Sequence, residues 1–267
     1  MNKLTILVFF LVVLACKQTP KTETVKEPVP QEIDESKTKY PDAMVKVFDA
    51  HGGLEQWKKQ RTLSYVLPKP ELPETHTIDL WSRRDRIDTE QFSMGFDGEQ
   101  VWLLNTDEIY KGDAGFYHNL MFYFYAMPFV LADDGIMYSA TKDLEYEGKK
   151  YPGLQIAYES GVGASSKDEY FIHFDPESHQ MAWLGYTVTY KSGESSDNVK
   201  WIRYDNWQEV NGLIVPESIT WHKFEERKIL EPASTVTFEE VGLSEISKPK
   251  GFYEKPENGE YVPIKMN

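Results

Sequence analysis

Phe96-Asp97-Gly98-Glu99-Gln100-Val101-Trp102-Leu103-Leu104 is the stretch that sets the fold class. An Asp-Gly pair between apolar residues is a strong short-range sign of a β-hairpin. Working outward, the same period of two governs most of the chain. Residues 62–67 and 75–81 alternate apolar with polar, and Arg86-Ile87-Asp88 opens another strand. Toward the C-terminus, strands are expected at 143–147, 152–159, 168–175, 180–190, 198–208, 213–224 and 232–241. Their turns are marked by Glu147-Gly148-Lys149, Asp175-Pro176-Glu177-Ser178, Ser192-Gly193-Glu194 and Asn211-Gly212. Strands recurring about every ten residues with turn signals between them predict a large, curved antiparallel sheet or a barrel.

Two segments break this rhythm. Pro41 and Asp42 suit the first turn of a helix. Met44, Val47, Phe48 and His51 then recur at three and four residues until Gly52-Gly53 stops the run, and 54–59 reads as a second short helix carrying Leu54 and Trp57. Residues 114–131, AGFYHNLMFYFYAMPFVL, are expected to form a helix that is apolar on nearly every side. Such a helix is covered all round or faces something apolar other than protein. It is therefore core packed on the sheet, or a plug whose aromatic and methionine side chains line a cavity; the two are compatible. The last twenty residues, rich in Pro and Gly, are expected to wrap the surface.

Residues 4–14 are almost free of polar atoms and follow Lys3, a pattern of export signals and too short for a mature membrane span. Val13-Leu14-Ala15-Cys16 resembles the bacterial lipobox, whose cysteine is acylated and becomes the new N-terminus. Residues 1–15 are thus expected to be a lipoprotein signal peptide, 16–39 an acylated Cys16 with a solvated, Pro- and charge-rich tether, and 40–267 one domain. Cys16 is the only cysteine, so the domain must stand without disulfides. The formal charge is −14, and losing Lys3 takes it to −15. So acidic a body excludes nucleic acid and electrostatic docking on anionic headgroups, leaving acyl chains as the membrane anchor. Lys17 stands where some bacteria use Asp for inner-membrane retention, which points to the outer membrane, facing the periplasm or the surface.

Catalytic patterns are missing. Gly161-Val162-Gly163-Ala164-Ser165-Ser166 lacks the spacing of a nucleophile elbow. There is no phosphate-binding glycine loop. His51, His76, His118, His173, His179 and His222 show no metal-ligand spacing. The chain is read as neither an enzyme nor a holder of metal or cofactor. His51 sits on the apolar face of the first helix, where its ring either bonds a backbone carbonyl or meets a ligand headgroup.

Four motifs in order resemble the LolA/LolB-type lipoprotein-carrier superfamily, most closely a related group of bacterial lipoproteins of unknown function. They are residues 50–57 (AHGGLEQW), 96–102 (FDGEQVW), 170–178 (YFIHFDPES) and 204–216 (YDNWQEVNGLIVP). The resemblance implies a mainly β (α+β) fold in which the curved sheet forms a half-open β-barrel with helices on its concave face, and an apolar cavity for acyl chains. The expected ligand contacts are Phe116, Leu120, Met121, Phe122, Phe124, Tyr125, Met127, Trp102 and His51. Unlike a soluble shuttle, this chain carries a lipobox of its own, so it is expected to bind a lipid or acylated ligand while tied to one membrane. A protein-interaction or sensor module of the envelope is the alternative.

Overall fold

The computed structural model describes residues 39–158, 169–187 and 198–262. Cys16, the expected tether and the expected turns at 161–166 and 192–194 lie outside them. Helix α1 (Asp42–Ala50) buries Met44, Val47 and Phe48 at the expected spacing, and α2 (Leu54–Lys59) buries Trp57. Between them Gly52, at φ +98°, lies against strand backbone: a Cβ there would come within 2.3 Å of the Gly212 carbonyl oxygen. Only glycine combines that dihedral with that approach.

An antiparallel meander follows: β1 (Thr62–Leu67), β2 (Glu74–Asp79), β3 (Asp85–Asp88), β4 (Ser93–Phe96) and β5 (Val101–Leu104). The Asp97-Gly98 turn joins β4 to β5 as expected, with Gly98 at φ +101°. The aromatic segment departs from expectation. It is not one helix but α3 (Ala114–Tyr117), α4 (Leu120–Tyr125) and a 3-10 turn (Phe129–Ala132). Asn119, at φ −116° and ψ 1°, separates the two helices. Pro128, lacking an N–H, sits between α4 and the turn.

The chain then lays down β6 (Ile136–Ala140), a small hairpin of β7 (Leu144–Tyr146) and β8 (Lys149–Tyr151), then β9 (Gly153–Tyr158), β10 (Tyr170–Phe174), β11 (Met181–Tyr186), β12 (Lys200–Val210), β13 (Leu213–Glu225) and β14 (Lys228–Thr237). The expected strand over 232–241 divides at Phe238, after which β15 (Glu239–Ser244) begins. Among the described residues of the tail, only β16 (Glu260–Val262) joins a sheet.

The result is mainly β and open. One seven-stranded sheet runs β15-β1-β2-β3-β4-β5-β16 and a second runs β14-β13-β12-β11-β10-β9-β6. Edge strands β14 and β15 are consecutive in the chain, so buried Phe238 turns the corner between the sheets. The main core contains Leu63, Tyr65 and Ile78 from the first sheet, Ile172, Leu184 and Ile202 from the second, and Phe122, Phe124, Tyr125, Met127, Phe129 and Leu131 from the aromatic segment. That segment therefore fills the space between the sheets. Among the described residues no helix is long and apolar enough to cross a membrane.

Candidate functional site

Cross-strand register puts Tyr65 opposite His76, His76 opposite Ile87, and Ile78 opposite both Leu63 and Asp85. With a side-chain period of two, Glu74, His76 and Ile78 share one face of β2. This inner face of the first sheet thus carries four titratable groups, all buried: Tyr65, Glu74, His76 and Asp85. Helices α3 and α4 cover it.

The Glu74 carboxylate accepts from Lys69 Nζ at 2.6 Å, Tyr117 OH at 2.7 Å and His76 Nε2 at 3.2 Å. Burial works against its charge, but the bonds from His76, Lys69 and Tyr117 outweigh it and hold the carboxyl down at about 2. Burial pushes the His76 imidazole down despite Glu74, so the ring is neutral. Its Nε2–H faces Glu74, and Nδ1 accepts from Tyr65 OH at 3.4 Å. Beside this group Asp85 Oδ2 accepts from His118 Nδ1 at 2.6 Å, while Asp85 Oδ1 has no partner. Burial raises the Asp85 carboxyl. Tyr117 and His118 lie at the end of α3, so two buried carboxylates clasp that helix to the sheet.

Two clefts open at opposite ends of β2. One, of about 560 Å³, is lined by Lys69, Leu72, Glu74, Phe92, Ile109 and Tyr110. The other, of about 330 Å³, is lined by Trp57, Leu80, Trp81, Arg83, Phe129 and Asp133. Residues 109–133 run over the sheet from the first cleft to the second. At the far end Trp57 and Phe129 stack in parallel, 4.6 Å apart. Arg83 Nη2 donates to both Asp133 oxygens at 2.6 and 2.7 Å, and Tyr138 OH donates to the Leu131 carbonyl.

The expected ligand contacts are distributed unevenly around this site. Met121, Phe122, Phe124, Tyr125 and Met127 are buried together in the main core, with Leu120 packed against it. Phe116 is exposed. Trp102 lies on the opposite face of β5 from Val101 and Leu103, where its Nε1 donates to the Tyr253 carbonyl. His51 takes the backbone-bonding position: Nδ1–H donates to the Ile214 carbonyl at 2.9 Å and Nε2 accepts from Met181 N–H at 3.0 Å. None of these residues lines either cleft. The residues that do, and the Glu74–His76–Asp85–His118 group, were missed. The one available signal was a histidine at an inward position of an alternating strand. Among the described residues no cluster of His, Cys, Asp and Glu could hold a metal ion.

The sequence profile described as "Family of unknown function (DUF6503)" matches residues 98–236. No curated protein matches the chain. Among solved structures the chain is similar to a LolA superfamily protein from Nitrosomonas europaea, at 8% identity over 73% of this chain and 89% of that one, with a TM-score of 0.44. It is also similar to a DUF1329 family protein from Desulfovibrio piger, at 9% identity over 78% and 95%, with a TM-score of 0.48.

Proposed function

We propose, from the premise that this chain belongs to the DUF6503 family of unknown function, that it is a lipid-anchored protein of the bacterial cell envelope. It binds a lipid or another apolar ligand between its sheets and catalyses no reaction. The anchor is Cys16, and Lys17 favours the outer membrane.

One observation carries the binding role: the aromatic segment lies between the sheets with a cleft at each end. Its helices are four and six residues long, far below the length at which a helix holds itself together. Packing and side-chain bonds therefore fix its position, and it can be displaced without breaking a strand pair. Displacement would join the two clefts along the concave face and turn Phe122, Phe124, Tyr125 and Met127 from core into ligand contacts. The protein-interaction reading is favoured by Trp81 and Ile246, 62% and 78% exposed.

A soluble full-length Cys16→Ser protein, extracted with organic solvent, should yield a stoichiometric lipid or acyl chain by mass spectrometry. A clean extract would put the interaction module first. Phe129→Ala removes the Trp57 stacking partner at the smaller cleft. It should weaken uptake of a fluorescent fatty acid about tenfold, a loss of about 1.4 kcal/mol; unchanged uptake would place the entrance elsewhere.

A further inference from the structure

We propose that the larger cleft, at the Glu74 end of β2, is a binding site for a small organic cation: a protonated amine carrying an apolar or aromatic body. The site uses this cleft with the aromatic segment in place and does not depend on the apolar ligand between the sheets. The cleft volume, about 560 Å³, lies within the range of small-molecule sites. Leu72, Phe92, Ile109 and Tyr110 supply apolar walls, and Phe92, Tyr110 and Tyr117 form a chain of rings with centroids 4.9 and 6.4 Å apart. A carboxylate lies at the bottom, since the Glu74 side chain is 5% exposed.

The protein's own chain marks the site with a cation. The Lys69 ammonium lies 2.6 Å from Glu74 and donates to the Tyr117 hydroxyl at 2.9 Å. An ammonium held by a carboxylate and a second oxygen acceptor makes charge-assisted hydrogen bonds, the stronger class. Lys69 comes from the connection between β1 and β2 and its side chain is 46% exposed. It can swing into water, whereas Glu74 cannot leave. When Lys69 departs, Glu74 keeps Tyr117 and His76 as donors and lacks only a cation.

Charge favours a cation over an anion. The rim holds Glu71 beside Lys69 and Lys111, and each lysine already faces a carboxylate, Glu74 or Glu108. The chain's formal charge of −14 draws cations toward the cleft from a distance.

Benzylamine and benzoate share a ring and differ in charge, so isothermal titration of the protein with each decides the matter. Benzylamine should bind saturably and benzoate should not. Lys69→Met removes the internal competitor and should tighten benzylamine about threefold or more. Glu74→Gln keeps the side-chain size and should weaken it at least about tenfold, as for loss of a charged hydrogen bond. Should Glu74→Gln fail to fold, the Lys69→Met and benzoate titrations still decide. Benzoate binding as tightly as benzylamine, Lys69→Met weakening benzylamine, or no saturable benzylamine binding by either protein would each overturn the proposal.

Discussion

Replacing His51 by alanine is expected to cost the fold about 3–5 kcal/mol, from two stranded backbone groups and a cavity. The ring is fully buried and spans three elements. It follows α1, donates to Ile214 on β13 and accepts from Met181 on β11. Only the neutral imidazole with its proton on Nδ1 fits, because an imidazolium would turn a second N–H against the Met181 N–H. Burial accordingly lowers the His51 ring to about 4, against the bond to Ile214, and burial lowers the His173 ring to about 4 against its bond to Tyr151. Both folded values lie below the unfolded value near 6.5, so the unfolded chain takes up protons first. This stability is complete above about pH 6.5 and is lost as pH falls toward 4. Each ring then contributes a slope of up to about 1.4 kcal/mol per pH unit. Urea unfolding between pH 7 and 5 should show a midpoint falling with acid, and His51→Ala should unfold earlier with a shallower pH dependence. A variant within about 1 kcal/mol of the parent, less than one stranded buried group costs, would mean that the two backbone groups are satisfied another way.

Cys16→Ser, with the leader 1–15 removed by an engineered cleavage site, should move the protein from the membrane fraction to the soluble fraction outright. One acyl chain holds a protein only marginally, and stable attachment needs a second chain or a basic patch. A chain of formal charge −14 is repelled overall by anionic headgroups, so acyl chains are the proposed anchor. Fractionation in low and high salt checks this. A Cys16→Ser protein cut free of residues 1–15 that stays in the membrane fraction would refute the anchor. One released only by salt would show that charges, not acyl chains, hold it there.

Much of the fold was legible because its cues are local. Thr62–Leu67 and Leu54–Lys59 form as read, and Asn211-Gly212 turns β12 into β13 with φ of 52° and 75°. What failed depended on distant partners. Alternation continues past Phe238, so nothing local says that residues 232–241 leave one sheet and enter the other. Residues 101–104, Val-Trp-Leu-Leu, are apolar on both faces, so Trp102 could not be assigned to one. Strand β6, of five residues, carried too little pattern to be read. The buried carboxylate–histidine group was invisible for a related reason. Glu74 and His118 lie 44 positions apart, and only strand register and the seating of α3 bring them to one face. In the aromatic segment composition was read correctly and continuity was not, because apolar character all round conceals a break at Asn119.

Strand β16 has a consequence for behaviour at high concentration. The open margin of β5 would present unpaired amides and carbonyls to any passing strand, the usual nucleus of edge-to-edge aggregation. Three residues of the chain's own tail pair with Val101, Trp102 and Leu103, leaving a margin only three residues long. A strand that short is a poor template for a second copy. This tail strand thereby acts as a colloidal safeguard, keeping neighbouring molecules in a concentrated solution from zipping into one another.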